Sequence, residues 1–113
     1  GDAKILRTPG AHLTPDALIG CILGVHALNV NRIMVVTHTR CAMASDTDES
    51  LRAVVAASSG LEVDDLGIGA DPQQRTRLVA DVETLRNHEL IGRFAEVGGF
   101  SYDVDWGRLI QVA

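Results

Sequence analysis

The chain has 113 residues, of which 46% are hydrophobic and 22% charged, and its formal net charge is −5. This length accommodates one domain with a modest core and excludes two. The acidic balance argues against a surface that binds nucleic acid. No apolar run approaches the roughly 18 residues that cross a membrane, and no signal peptide is evident at the N-terminus. We therefore expect one cytoplasmic domain over residues 1–113, without nucleic-acid or membrane partners.

The first third of the chain predicts a strand, a helix and a second strand. Residues 3–6 have the composition of a short strand. Thr14 before Pro15 predicts a helix start, with Thr as the N-cap and Pro at the first helical position, and the helix should continue to Ala27 or Leu28. Because this helix has little polar surface, we expect it to be buried. Residues 32–37 form a continuous apolar run, which predicts a strand covered on both faces and, with the first strand, a βαβ unit.

The rest of the chain predicts two helices and a hairpin. Residues 49–57 look helical, and Asp71-Pro72 should open a further helix with Leu78, Val82 and Leu85 along its buried face. Apolar side chains then alternate over residues 100–106, and a turn leads into residues 109–112. The expected fold class is α/β, a parallel sheet flanked by helices with a C-terminal antiparallel hairpin.

His38 and Cys41 follow the predicted strand over residues 32–37. In open parallel sheets, ligands bind at this carboxyl-terminal edge, and an imidazole nitrogen with a thiolate sulfur suits Zn²⁺. Two ligands alone cannot hold zinc. Taken by itself, the segment favours a structural interpretation, with His38 as a loop-capping residue and Cys41 as a small buried hydrophobe.

Several segments together resemble the β-class carbonic anhydrases. Residues 1–10, GDAKILRTPG, resemble the stretch of that family that commonly reads GDAxxIRNAG, and residues 38–44, HTRCAMA, resemble its zinc motif HTDCGM. Further matches lie in the helix from Thr14 and in residues 81–86 and 99–109, which resemble the closing helix and hairpin. The order and spacing of these segments cover nearly the whole chain.

The resemblance implies a zinc enzyme that interconverts carbon dioxide and bicarbonate, assembled as a homodimer or homotetramer. Its zinc is held by one His and two Cys, with water or an aspartate at the fourth position, and His38 and Cys41 match the second and third ligands. The first Cys belongs to a Cys-x-Asp-x-Arg motif whose Asp and Arg form a catalytic dyad. That motif precedes the GDA segment in the family, so we expect no catalytic residue within this stretch and a domain that is incomplete at its N-terminus.

The sequence departs from the family pattern within the zinc motif, and the other cysteine and histidines are expected to have no role in the site. Arg40 stands where the family commonly has Asp. Cys21 is expected to fill the core and His26 to pack, whereas His12 and His88 are expected to be solvated. Two alternatives to a carbonic anhydrase remain: a non-catalytic oligomerisation or interaction module, and a related hydrolase acting on carbon disulfide or carbonyl sulfide.

Overall fold

The structure is a computed structural model that describes residues 1–113. It contains four α-helices, three β-strands and one short 3₁₀ turn. In chain order these are the 3₁₀ turn Pro9–Ala11, α1 Pro15–Ala27, β1 Arg32–His38, α2 Ala42–Ser45, α3 Asp48–Ser59, α4 Gln74–Asn87, β2 Glu96–Asp103 and β3 Arg108–Gln111. None of the helices has the length and apolar character needed to cross a membrane.

The three strands form one mixed sheet in the order β1-β2-β3. β1 and β2 run parallel, with Ile33 opposite Val97 and His38 opposite Tyr102. β2 and β3 run antiparallel and are joined by a turn over residues 104–107, in which Gly107 takes a positive φ of 63°. The predicted α/β fold, with a parallel pair and a terminal hairpin, is confirmed.

The predicted strand over residues 3–6 is wrong. This segment has no regular secondary structure, and the side chain of Ile5 is 84% exposed. A strand exists only where a neighbouring strand accepts and donates its backbone hydrogen bonds, and β1 pairs on one edge only, with β2. The parallel unit therefore runs from β1 through α3 and α4 to β2, and the βαβ unit predicted around α1 is wrong as well.

The helix starts follow local side-chain chemistry. The hydroxyl of Thr14 accepts a hydrogen bond from the Ala17 N–H at 3.2 Å, so the predicted start of α1 at Pro15 is confirmed. α4 begins at Gln74, later than predicted. The reason is that Asp71 Oδ1 accepts a hydrogen bond from Gln73 N–H at 3.0 Å, which makes a turn before the helix begins.

One face of the sheet is closed by helices. α4 packs against β2, and the buried side chains there form the core together with partly buried residues of α1. Its fully packed members are Leu78, Val82, Leu85, Ile91 and Val97. The apolar face predicted for α4 is therefore confirmed. Gly99 in β2 permits this close approach, because a Cβ there would lie 2.8 Å from Val82 Cγ2.

The opposite face of the sheet is open to solvent. Side chains alternate along a strand, and those of β1 that point away from α4 include Met34, 54% exposed, and Val36, 40% exposed. α1 is also only partly covered, since Ile19 and Leu23 are each 55% exposed. The predictions of a strand covered on both faces and of a buried α1 are therefore wrong for these residues, because no layer of the chain packs on those surfaces.

Candidate metal centre

His38 is the last residue of β1 and lies on the open side of the sheet. Its Nδ1 is 2.7 Å from the carbonyl oxygen of Thr39. A carbonyl can only accept, so Nδ1 carries the proton and the lone pair of the neutral ring is on Nε2. The end of the strand is fixed to the hairpin, because Thr39 N–H donates to Tyr102 O at 2.9 Å and Val104 N–H donates to Thr39 Oγ1 at 3.0 Å. His38 thus presents an exposed, oriented Nε2.

Cys41 follows after the two-residue turn at Thr39 and Arg40. It is 5% exposed, forms no disulfide, and is the N-cap residue of α2. Its carbonyl oxygen accepts hydrogen bonds from Ala44 N–H at 3.0 Å and from Ser45 Oγ at 2.9 Å. Its backbone is therefore held by α2, while its thiol lies in a buried position.

Arg40 takes the left-handed conformation with φ of 55°, which is uncommon for a residue with a side chain. Its guanidinium lies 3.0 Å from the Asp105 carboxylate in the hairpin turn. Arg40, which stands where the family commonly has an aspartate, therefore forms an ion pair with the hairpin turn. Because both side chains are substantially exposed, the pair contributes little to stability, although it ties the turn before Cys41 to the hairpin.

His38 and Cys41 are residue types that bind zinc, but two ligands are too few to hold the ion. A neutral imidazole with a free Nε2 and a cysteine sulfur are two of the ligands that zinc prefers, and a ligating histidine usually donates its other N–H to a carbonyl or carboxylate, as His38 does. No group of three or more His, Cys, Asp or Glu side chains converges within residues 1–113. Residues 1–113 by themselves therefore do not form a complete zinc site.

The predicted structural roles of Cys21 and His26 are confirmed. Cys21 is half-buried against the core, and burial raises the pKa of its thiol. His26 Nε2 lies 2.7 Å from the Leu90 carbonyl oxygen, and its ring packs edge-on against Phe94 with centroids 4.8 Å apart. Both side chains are structural.

The other two histidines differ from each other. His88 stays at the end of α4, where its Nδ1 accepts a hydrogen bond from Leu90 N–H at 3.1 Å. His12 is not solvated as predicted, since its side chain is only 14% exposed and its Nε2 lies 3.9 Å from Asp71 Oδ2. The loop that carries His12 is folded onto the protein, because the adjacent Leu13 N–H donates to Asp81 Oδ2 at 3.1 Å.

Asp81, which the sequence did not single out, fixes the loop that carries His12. Asp81 on α4 is 7% exposed and also accepts a hydrogen bond from Arg77 Nε at 3.1 Å. The spacing of Arg77 and Asp81 by four residues was a visible sign of this pair. Nothing local in the sequence indicated that Leu13, far away in the chain, supplies the second donor.

No protein-family model matches the chain. Individual relatives do. Over 96% of the chain it is 27% identical to a carbon disulfide hydrolase of Acidithiobacillus thiooxidans, and over 99% of the chain it is 25% identical to β-carbonic anhydrase 1 of Mycobacterium tuberculosis. A carbonic anhydrase of Streptococcus mutans superposes over 100% of the chain, and 68% of its own chain, with a TM-score of 0.85 and 26% identity. The chain is similar in sequence and in fold to β-carbonic anhydrases.

A second solved structure extends the likeness to another activity. The apo form of a carbon disulfide hydrolase matches 98% of the chain, and 66% of its own chain, with a TM-score of 0.75 and 26% identity. The β-carbonic anhydrase fold of this chain is therefore shared with proteins of two activities. The chain spans 63% and 64% of the length of two curated carbon disulfide hydrolases, from Acidithiobacillus thiooxidans and an Acidianus strain, and 68% of the mycobacterial β-carbonic anhydrase.

Proposed function

We propose that this chain contributes to a zinc enzyme that hydrates carbon dioxide reversibly to bicarbonate and a proton, with His38 and Cys41 as two of its zinc ligands. The observation that carries the proposal is the orientation of His38. Its Nδ1 proton is committed to the Thr39 carbonyl at 2.7 Å, which leaves Nε2 as a free electron-pair donor at the carboxyl-terminal edge of β1. Fold and sequence likeness to carbonic anhydrases supports the substrate.

Within this site the two side chains act as ligands and not as acids or bases. A bound zinc ion supplies a Lewis acid that brings the pKa of water close to about 7. The hydrogen bond from His38 to Thr39 holds the imidazole ring in one orientation, and the buried position of Cys41 keeps water away from its sulfur. The remaining ligand and the catalytic Asp–Arg dyad are proposed to come from outside residues 1–113, as the resemblance implies.

A second candidate is hydrolysis of carbon disulfide or carbonyl sulfide with the same two ligands. It is favoured by the relatives named carbon disulfide hydrolase, one of which is 27% identical over 96% of the chain. Both activities place the same demands on His38 and Cys41. Measuring carbon dioxide hydration and hydrogen sulfide release from carbon disulfide on one zinc-loaded preparation of the full-length protein separates the two.

The test of the proposed function uses two histidines of the same chain. His38→Gln removes a ligand nitrogen, and we expect carbon dioxide hydration by the full-length protein, followed by stopped flow with a pH indicator, to fall at least about 100-fold. His88→Gln is the matched control, because His88 lies at the end of α4, and it should stay within about twofold of the unsubstituted rate. An unchanged rate in His38→Gln would contradict the proposal. Absence of both activities in the zinc-loaded protein would favour a non-catalytic module.

We also propose that the protein assembles as a homodimer or homotetramer. The support is the apolar surface left open on α1 and on the sheet, where Ile19, Leu23 and Met34 are each more than half exposed. Light scattering coupled to size-exclusion chromatography of the full-length protein should give a mass of two or four chains. A monomeric mass at micromolar concentration would contradict this proposal.

A further inference from the structure

Asp71 carries a buried carboxylate oxygen that the fold leaves without a hydrogen bond. Its Oδ1 accepts from Gln73 N–H at 3.0 Å, whereas Oδ2 is buried and has no donor. An unpaired buried carboxylate oxygen is costly. The nearest side chain that can carry a positive charge is that of His12, whose Nε2 lies 3.9 Å from Asp71 Oδ2, and the two side chains are only 14% and 20% exposed.

The two residues meet at the loop that follows Cys41. Asp71 N–H donates to the carbonyl oxygen of Met43 at 2.6 Å. A Cβ on Gly10 would lie 3.0 Å from His12 Nε2 and 3.3 Å from Met43 Cβ, so the imidazole and Met43 both pack against Gly10. Three segments far apart in sequence therefore converge two residues beyond Cys41: the 3₁₀ turn, α2 and the segment that precedes α4.

Asp81, the other carboxylate at this loop, is paired with Arg77, so the nearest side chain that can pair with Asp71 is that of His12. Asp81, which holds the adjacent Leu13 N–H, is already paired with Arg77 at 3.1 Å. No carboxylate other than that of Asp71 lies within ion-pair distance of His12. Because both side chains are largely shielded from water, their attraction is screened less than that of a surface pair.

We propose that His12 and Asp71 form an ion pair that positions the loop carrying Cys41. The pair joins the 3₁₀ turn to the segment before α4 and, through the Met43 carbonyl, holds α2 and the thiol at its N-cap. His12 and Asp71 are positioning residues, which touch neither metal nor substrate. The consequence for zinc rests on the proposed function, whereas the pairing and its effect on Cys41 do not.

The experiment measures the accessibility of Cys41 in the metal-free full-length protein. Iodoacetamide labelling is followed by peptide mass spectrometry, so that Cys41 and Cys21 are scored separately and Cys21 serves as the internal control. Asp71→Asn removes the charge but keeps an oxygen that can accept from Gln73 N–H. We expect it to speed labelling of Cys41 about fivefold, with Cys21 within about twofold.

Two further variants separate charge from volume. His12→Asn should speed Cys41 labelling as Asp71→Asn does, and the exchange variant carrying both His12→Asp and Asp71→His should return it to within about twofold of the original rate. Unchanged labelling in both single variants, or an equal rise at Cys21 that signals general unfolding, would overturn the proposal. Faster labelling without recovery in the exchange variant would do so too, because it shows a packing role.

Cobalt binding distinguishes this proposal from the proposed function. The thiolate-to-cobalt absorption of the full-length protein should report a Cys41 ligand, and both single variants should weaken cobalt affinity about fivefold. If the unsubstituted protein shows no such absorption, the proposed zinc ligation fails, while the labelling rates still decide whether His12 and Asp71 position the loop.

Discussion

The two faces of the sheet differ although they are built from alternate residues of the same strands. On one face, Val97 is buried beneath α4 together with Val82 and Leu85. On the other, Met34 and Val36 are exposed and share their side with His38. The middle of β1 is apolar on both sides, with Ile33 and Val35 on the closed side and Met34 and Val36 on the open side, so side-chain chemistry there does not set the difference. What differs is whether another layer of the chain lies above them.

This contrast shows which face of the sheet is covered by other parts of the same chain. The closed face contributes most to the stability of the domain, because the buried core side chains lie there. The open face carries the candidate metal ligand and an apolar surface that is unusual to leave in water. The packed core and the candidate metal ligand are thus separated by the pleat of a single strand.

The largest expected effect compares one buried residue with one exposed residue. Leu85→Ala removes a side chain that is 0% exposed and should lower the free energy of unfolding by about 3 kcal/mol, since it leaves a cavity in the core. In the monomeric chain, Met34→Ala on the open face should change it by less than about 0.5 kcal/mol, whereas a Met34 side chain covered in the proposed oligomer would cost more. Urea unfolding of both variants measures the difference, and equal losses would show that the open face is packed in solution.

Adjacent glycines in β2 give the next comparison. Gly99→Ala places a Cβ 2.8 Å from Val82 Cγ2 in the closed face and should destabilise the protein by about 1–3 kcal/mol through overpacking. Gly98→Ala meets the ring of Phe100 at 2.9 Å, and we expect a cost below about 1 kcal/mol because that ring can move towards solvent. Thermal unfolding orders the two, and a larger loss for Gly98→Ala would reverse the assignment of the faces.

The smallest expected effect lies in a loop away from both faces. The backbone N–H of Ala70 has the largest effect and lowers the pKa of Asp48. Desolvation opposes it, and the N–H groups of Gly69 and Ile68 and the charge of Arg52 lower the pKa further. Because the folded pKa is lowered, the stabilisation is complete above the ordinary value of about 4 and is lost as the pH falls through the folded value.

Acid should therefore loosen residues 68–70 before it disturbs either face of the sheet. Amide exchange, corrected for its intrinsic pH dependence, should show those N–H groups losing protection below about pH 4 while the strands keep theirs. Asp48→Asn should remove this pH dependence. Protection of residues 68–70 that is unaltered in the variant would contradict the role of Asp48.

Local signals in the sequence predicted local structure well. The Thr14-Pro15 pair located the start of α1, and the apolar run after Arg32 located β1. The two candidate zinc ligands could also be predicted from the sequence, because His38 and Cys41 are close together at the end of a strand. In contrast, a strand was wrongly predicted at residues 3–6, since strand formation depends on a partner and not on composition alone.

Burial and long-range contacts could not be predicted in the same way. The apolar character of α1 gave no information on what covers it, and Ile19 lies largely in solvent. The contact of Asp71 with His12 joins residues far apart in the chain, and no pattern within either segment indicates the other. Such pairs depend on how loops meet after the sheet has formed.

The measurement that tests the central claim most directly is the zinc content per chain of the full-length protein, by elemental mass spectrometry after removal of free metal. The account predicts close to one zinc per chain, its loss in Cys41→Ser, and its retention in Cys21→Ser, which alters the core cysteine. Full zinc in Cys41→Ser, or no zinc in the unsubstituted protein, would contradict the assignment of His38 and Cys41 as ligands.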